Sequence, residues 1–329
     1  MPEESNDSQT RDVKRPVDQV TAGYCAELHE MLRAGIEALG IRVDPTQGLG
    51  AMLKGLEWFA SYPPETHQPD AAWKDRPEDA LLFFGNFEQV KRAAIAISLA
   101  PLIPGGSRRF QLFKNNIHRQ QNPESKALDL FFELDIAHRL LKRGLPVQFK
   151  EPDLVVGLSG NDFGVACKRP RKRTTVARNV IRGAKQIKKH GRGLVVINVE
   201  LLLLPDEYSQ LRCLPYDVAT WEEFRRLQQV VDAIAKECGA AVREAFAKHE
   251  TWGVLFCAIA TAHVGDAKEG HPGLIFEWFR APVSPLSKPG TAELLDQMTF
   301  GDQDTIMAYS SPAMWKTLAE NLQGTPLPE

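Results

Sequence analysis

Cysteine is sparse and scattered in this chain. The five residues, Cys25, Cys167, Cys213, Cys238 and Cys257, form no Cys-x-x-Cys pair. An odd, dispersed set argues against a disulfide framework and a zinc site, and fits a reducing compartment. No apolar run approaches the ~20 residues needed to cross a bilayer. The N-terminal stretch is polar and charged, with no apolar signal region. These absences lead to the expectation of a cytoplasmic protein with no membrane partner. Residues 157–162 are rich in glycine, but no Gly-Lys-Ser/Thr follows, so they are not a phosphate loop. No Gly-x-Ser-x-Gly elbow occurs to anchor a hydrolase triad. The eight histidines share no metal-ligand spacing, and His138 and His190 read as surface or capping residues. Repeats of fixed length are absent, which excludes a solenoid. With a net charge of −2 the whole chain is no polyanion binder, so such a role needs local clustering.

What is present is globular: 329 residues, 43% hydrophobic and 25% charged, enough for one large domain or two modest ones. Residues 1–16 are polar and aperiodic and read as a disordered tail. Residues 17–120 read as a helical region. Tyr24, Leu28, Leu32, Ile36 and Leu39 recur at helical spacing. Met52, Leu56 and Phe59 predict a second helix, and a third is expected over residues 86–100. This region shows no legible chemistry, and a packing or protein-contact role is expected of it.

Residues 121–329 read as an α/β domain. A helix is predicted over 125–143, with Leu130, Glu133, Ala137 and Leu140 in one row. Glu133 therefore lies on or beside a buried face, where a carboxylate needs a partner. It either snorkels to water, pairs with an arginine, or serves a site. Short strands follow at 146–149, 154–158 and 163–168, the last two joined by turn residues. In the third strand Val165 and Cys167 face one way, and Ala166 and Lys168 the other. Cys167 reads as a core thiol. A helix over 175–190, a strand over 194–204, a long helix over 220–248, two strands at 253–264 and 274–279, and a closing helix over 313–322 complete the prediction.

One stretch is electrostatically distinct. From Phe163 to Val199 there is no Asp or Glu, while Lys168, Arg169, Arg171, Lys172, Arg173, Arg178, Arg182, Lys185, Lys188, Lys189 and Arg192 all fall within it. The plain reading is a solvated face. Against it, like charges without intrahelical acidic partners repel unless a polyanion is near, and phosphate backbones are the commonest such partner. Phosphodiester cleavage needs a divalent cation held by oxygen ligands, often with a lysine at the phosphate. Asp153 at one strand end, position 166, the main-chain carbonyl of Cys167 and Lys168 are the candidates, with Glu133 a further acidic contributor.

Pro152-Asp153, a hairpin and a strand ending at Lys168 resemble the PD-(D/E)xK nuclease superfamily. The preceding helix with Glu133, and Gln186 on the following helix, match further positions of that pattern. The resemblance spans about residues 125–200 and implies a restriction-endonuclease-like mixed sheet flanked by helices. It implies an Mg2+- or Mn2+-dependent endonuclease acting on DNA, with Asp153, residue 166, Cys167 and Glu133 at the metal and Lys168 at the phosphate. Arg169, Arg171, Lys172, Arg173, Arg178, Arg182, Lys185 and Gln186 would contact nucleic acid. A role in prokaryotic restriction or anti-phage defence, a protein partner on the helical region and a homodimer are further expectations.

The departure is Ala166, where the pattern carries an acid. An alanine cannot ligate a metal. Three accounts stand: a Glu→Ala variant, a natural pseudo-nuclease that binds without cutting, or a carboxylate such as Glu133, Glu151 or Asp162 moved into the role. The first is favoured, because Asp153, Lys168 and the basic helix are all retained. In each of the first two, the chain as written does not cut.

Overall fold

The computed structural model describes residues 17–19, 21–46, 48–65, 87–114, 126–142, 144–158, 160–202, 229–263, 273–280 and 306–308. The expected tail at 1–16 and the closing helix at 313–322 lie outside the described residues.

Among the described residues, three helices follow the first short strand. Helix α1 (Ala22–Ala38) starts at Thr21, whose hydroxyl accepts from the Tyr24 amide at 3.0 Å and satisfies one orphan donor. It buries Cys25, Leu28, Leu32 and Ile36, the period legible in the sequence. Helix α2 (Gly48–Ala60) buries Met52, Leu56 and Phe59. Helix α3 (Phe87–Leu99) buries Val90, Ala93, Ala94, Ala96 and Ile97. Small residues let α1 and α3 approach closely: a Cβ on Gly35 of α1 would lie 2.6 Å from the Ile97 carbonyl oxygen.

Helix α4 (Lys126–Lys142) is buried on every side from Leu130 to Leu140. It lies in the same hydrophobic core as α1–α3 and one face of the sheet. Its charged and polar residues Glu133, Asp135, His138 and Arg139 are all buried. His138 is therefore not the surface residue expected from the sequence. A row of apolar residues on one face cannot reveal burial on the other, because there the positions are filled by paired charges.

The main sheet is mixed. Strands β2 (Val147–Lys150), β3 (Asp153–Leu158), β4 (Asn161–Lys168), β5 (Gly193–Asn198), β6 (Thr251–His263) and β7 (Gly273–Arg280) lie in that spatial order. The β2–β3, β3–β4 and β6–β7 pairs are antiparallel, and β4–β5 and β5–β6 are parallel. The parallel β4–β5 connection is helix α5 (Val176–His190), as strand, helix, strand order requires. Val165, Cys167, Leu194 and Val196 face α4. Ala166, Val195, Ile197 and Phe256 face α5 and helix α6 (Gly239–Lys248). The fold is thus α/β, with helices on both faces of an open sheet. Two three-residue strands, β1 (Val17–Gln19) and β8 (Ile306–Ala308), pair in parallel as a second sheet, with β8 next to β7.

Two elements differ from expectation. The strand predicted to Leu204 ends at Asn198. Asn198 Oδ1 accepts from the Glu200 amide at 2.8 Å, and this local bond competes with the ladder and starts a 3-10 turn over Glu200–Leu202. The long helix expected over 220–248 is helical at 229–237 and again over Gly239–Lys248, interrupted at Cys238. Its expected first part lies outside the described residues.

The turn after β5 has a structural role. Arg92 on α3 holds Asp135 on α4 through two hydrogen bonds, 2.6 and 3.2 Å. The same guanidinium lies 3.6 Å from Glu200, and Arg139 lies 3.5 Å from Asp135. Burial alone would raise Asp135, but Arg92 and Arg139 outweigh it and hold the carboxyl well below its usual range. Removing one partner from a buried pair leaves an uncompensated charge. Arg92→Met is expected to cost about 3–5 kcal/mol at neutral pH by urea unfolding. In acid the unfolded state binds the Asp135 proton more readily than the folded state, so stability falls as pH falls. The Arg92→Met penalty should therefore shrink as pH drops below Asp135's ordinary value of 3.8.

Candidate functional site

Strand β3 begins where β4 ends, so Asp153 and Lys168 share one edge of the sheet. Asp153 Oδ2 accepts from the Cys167 amide at 2.9 Å and from Lys168 Nζ at 2.7 Å. Lys168 Nζ also donates to the Cys167 carbonyl at 2.9 Å. Both side chains are largely buried. Burial pushes the Asp153 carboxyl up, and Lys168 and the Cys167 amide oppose that shift.

Glu133 belongs to the same cluster. Burial raises it to about 7, the negative charge of Asp153 adds to the rise, and Arg109 and Lys168 oppose it. Its direct partner is Arg109. The plain alternative drawn from the sequence, a Glu paired with an arginine, is thus met. Four side chains, Glu133, Asp153, Arg109 and Lys168, form a cluster of two acids and two cations.

Sequence reasoning missed Arg109. It is delivered by the loop Pro104-Gly105-Gly106, which lies along β2. The Phe149 amide donates to the Pro104 carbonyl at 2.8 Å. Gly105 takes a φ of +85°, and a Cβ there would lie 2.2 Å from the Phe149 carbonyl oxygen, so the close approach requires glycine. The Arg109 guanidinium lies 5.4 Å from the Phe149 ring centroid, a cation–π distance. The Gly-Gly pair before Arg108-Arg109 was the available signal, but it shows a turn and not its destination.

Position 166 lies across the β3–β4 pair from Asp153, one step beyond the Leu154–Val165 pair. Ala166 is fully buried on the α5 face, in the apolar layer with Val180, Ala184 and Val195. A Cβ on Gly183 would come 3.5 Å from the Ala166 methyl. Cys167 faces the opposite layer, and burial pushes its thiol well up, as fits a core thiol.

These residues can be tested against the divalent ion that the resemblance implies. Asp153 and the Cys167 carbonyl offer oxygens, but both already meet the Lys168 ammonium. Position 166 offers a methyl group, and Glu133 is engaged by Arg109. Among the described residues no group of three or more His, Cys, Asp or Glu is arranged to hold a metal ion. The side chains as they stand do not fit a divalent ion.

The basic residues divide into two sets. Arg169 is buried and bonded to Asp129 at 3.0 Å, and Arg171 meets the same carboxylate at 3.1 Å. Arg173 is exposed and pairs with Glu237 at 2.6 and 2.9 Å. The acidic partners absent from the local sequence thus come from other elements. Lys172 and, on α5, Arg178, Arg182, Lys185, Lys188 and Lys189 are exposed. Arg178, Arg182, Lys185 and Lys189 follow one another at spacings of four, three and four, a single stripe opposite buried Val176, Val180, Ala184 and Ile187. Gln186, on the flank of that stripe, donates from Nε2 to the Pro152 carbonyl at 3.1 Å. Its Oε1 is buried without a hydrogen-bond partner among the described residues. The helix that carries the stripe therefore touches the residue before Asp153.

No family model, curated protein or solved structure matches this chain.

Arg109 is partly exposed, so its loss should cost less than a fully buried partner, about 1–3 kcal/mol for Arg109→Ala. Adding Glu133→Gln removes the stranded carboxylate and is expected to recover most of that loss. A double-mutant cycle in denaturant checks both values.

Proposed function

We propose that this chain binds DNA along α5 and holds the backbone over a phosphodiesterase-type site that lacks its second acid. Its core is proposed to be restriction-endonuclease-like, and the chain as written binds without cutting. The observation that carries this reading is the stripe of Arg178, Arg182, Lys185 and Lys189 on the helix whose Gln186 reaches Pro152. A rigid helix presents cations about 5–6 Å apart on one face, comparable with the spacing of successive phosphates. Lys172 lies at the N-terminal end of the same helix and extends the surface. The like charges of the stripe disfavour one another in the free protein, so a polyanion relieves repulsion as well as adding attraction.

The apolar surroundings of Ala166 support the non-cutting half of the reading. A glutamate there would start in the layer beneath α5 and extend toward the sheet edge occupied by Asp153 and Lys168. The Ala166→Glu form is the version proposed to hydrolyse DNA.

Binding is checked by anisotropy of a labelled duplex across a salt series. Arg182→Glu/Lys185→Glu is expected to weaken binding by about tenfold or more and to reduce the salt slope by about 0.9 for each phosphate no longer neutralised. Unchanged affinity would remove α5 as the interface. For cleavage, plasmid is incubated with Mg2+ and the parent or Ala166→Glu protein. The parent is expected to leave it intact and the variant to nick or cut it. Cleavage by the parent would overturn the non-cutting reading, and no gain in the variant would overturn the assignment of position 166.

A further inference from the structure

The chemistry around Asp153 points beyond nucleic-acid binding, to the cation of the site itself. We infer that Lys168 is the resident cation here, its ammonium seated between Asp153 Oδ2 and the Cys167 carbonyl so that divalent metal ions are kept out.

The geometry supports a seated ion rather than a loose surface pair. Two oxygens from two strands converge on one Nζ, at 2.7 and 2.9 Å. The Asp153 carboxylate is itself fixed by the Cys167 amide at 2.9 Å, so it presents Oδ2 in one orientation. Side-chain exposures of 17% for Lys168 and 14% for Asp153 leave little room for water to compete. An ammonium has three donors, and this seat uses two of them. The third remains for water or a bound anion.

Charge gives the second part of the argument. Two acids, Glu133 and Asp153, face two cations, Arg109 and Lys168, so the cluster carries no net negative charge. Such a cluster offers a divalent ion no net attraction. Entry of Mg2+ would require the ammonium to leave both oxygens, with Arg109 still beside Glu133. The ion would also need near-octahedral oxygen ligands at about 2.0–2.1 Å, whereas position 166 supplies a methyl group.

The consequence concerns Lys168 directly. In this chain it holds its place between Asp153 and the Cys167 carbonyl with or without metal in solution.

The test uses Mn2+ and no nucleic acid, so its failure is separate from failure of the DNA-binding reading. Free Mn2+ is measured by electron paramagnetic resonance against the parent, Lys168→Met and Lys168→Met/Asp153→Asn. The parent is expected to take up no Mn2+ at this site. Lys168→Met is expected to bind one ion about tenfold or more tightly than the parent, and the added Asp153→Asn change to abolish that gain. Equal Mn2+ uptake by parent and Lys168→Met overturns the inference. A second measurement uses the parent alone, so it stands even if Lys168→Met fails to fold. Mn2+ is titrated while the Cys167 amide is followed by nuclear magnetic resonance. An amide that keeps its intensity supports the resident ammonium, and selective broadening at submillimolar Mn2+ overturns it.

Discussion

The structure depends on the burial of α4 from Leu130 to Leu140. A helix enclosed by other helices on one side and by a sheet on the other has no solvent face for its polar residues. Each buried charge must then find a partner or give up its charge. Asp135 finds Arg92 and Arg139, and Glu133 finds Arg109. These pairs also decide what packs where. Arg92 ties α3 to α4 and reaches Glu200 after β5. Arg109 ties the loop at 104–106 to the sheet edge. Helices α1–α3 are therefore fastened to the α/β layer by electrostatics as well as by shared apolar packing.

Glu133 and Asp153 show how the same burial shapes chemistry. Two carboxylates close together and out of water would repel each other and take up protons. Arg109 and Lys168 oppose that tendency without overcoming it. The result is a site with no net negative charge, built from α4, β3, β4 and the single helical turn Ser107–Phe110. Alanine at position 166 leaves no polar gap, because that position belongs to the apolar layer beneath α5. The site and the core meet there within one strand: Ala166 is core, Cys167 lends its carbonyl and amide, and Lys168 supplies charge.

Much of this was legible in the sequence where the periodicity was local. Leu28, Leu32 and Ile36 marked α1, and the alternation from Phe163 to Lys168 marked β4 with the right faces. The charge stripe on α5 followed from residue types alone. What could not be read depended on distant partners. Arg109 comes to Glu133 through a turn whose destination no local pattern encodes. Arg169 and Arg171 looked available because Asp129, their partner, lies on another helix. His138 looked like a surface residue because its side of α4 carries charges that are buried by pairing. Asn198 ended β5 early by bonding to the Glu200 amide, a side-chain effect that the apolar run of the strand masked. The restriction-endonuclease-like topology remains a proposal, resting on the order of elements and on the Asp153–Lys168 edge.

The loop that carries Arg109 has a consequence for solubility. Among the described residues strand β2 is the outer strand on that side of the sheet, and outer strands template pairing with foreign chains. The Pro104 carbonyl takes up the Phe149 amide, and Gly105 lies against the Phe149 carbonyl oxygen. Part of the free backbone that could recruit a neighbour is thereby covered from within. Gln148 and Lys150 are exposed on the same strand, and a charged side chain there further discourages edge-to-edge association.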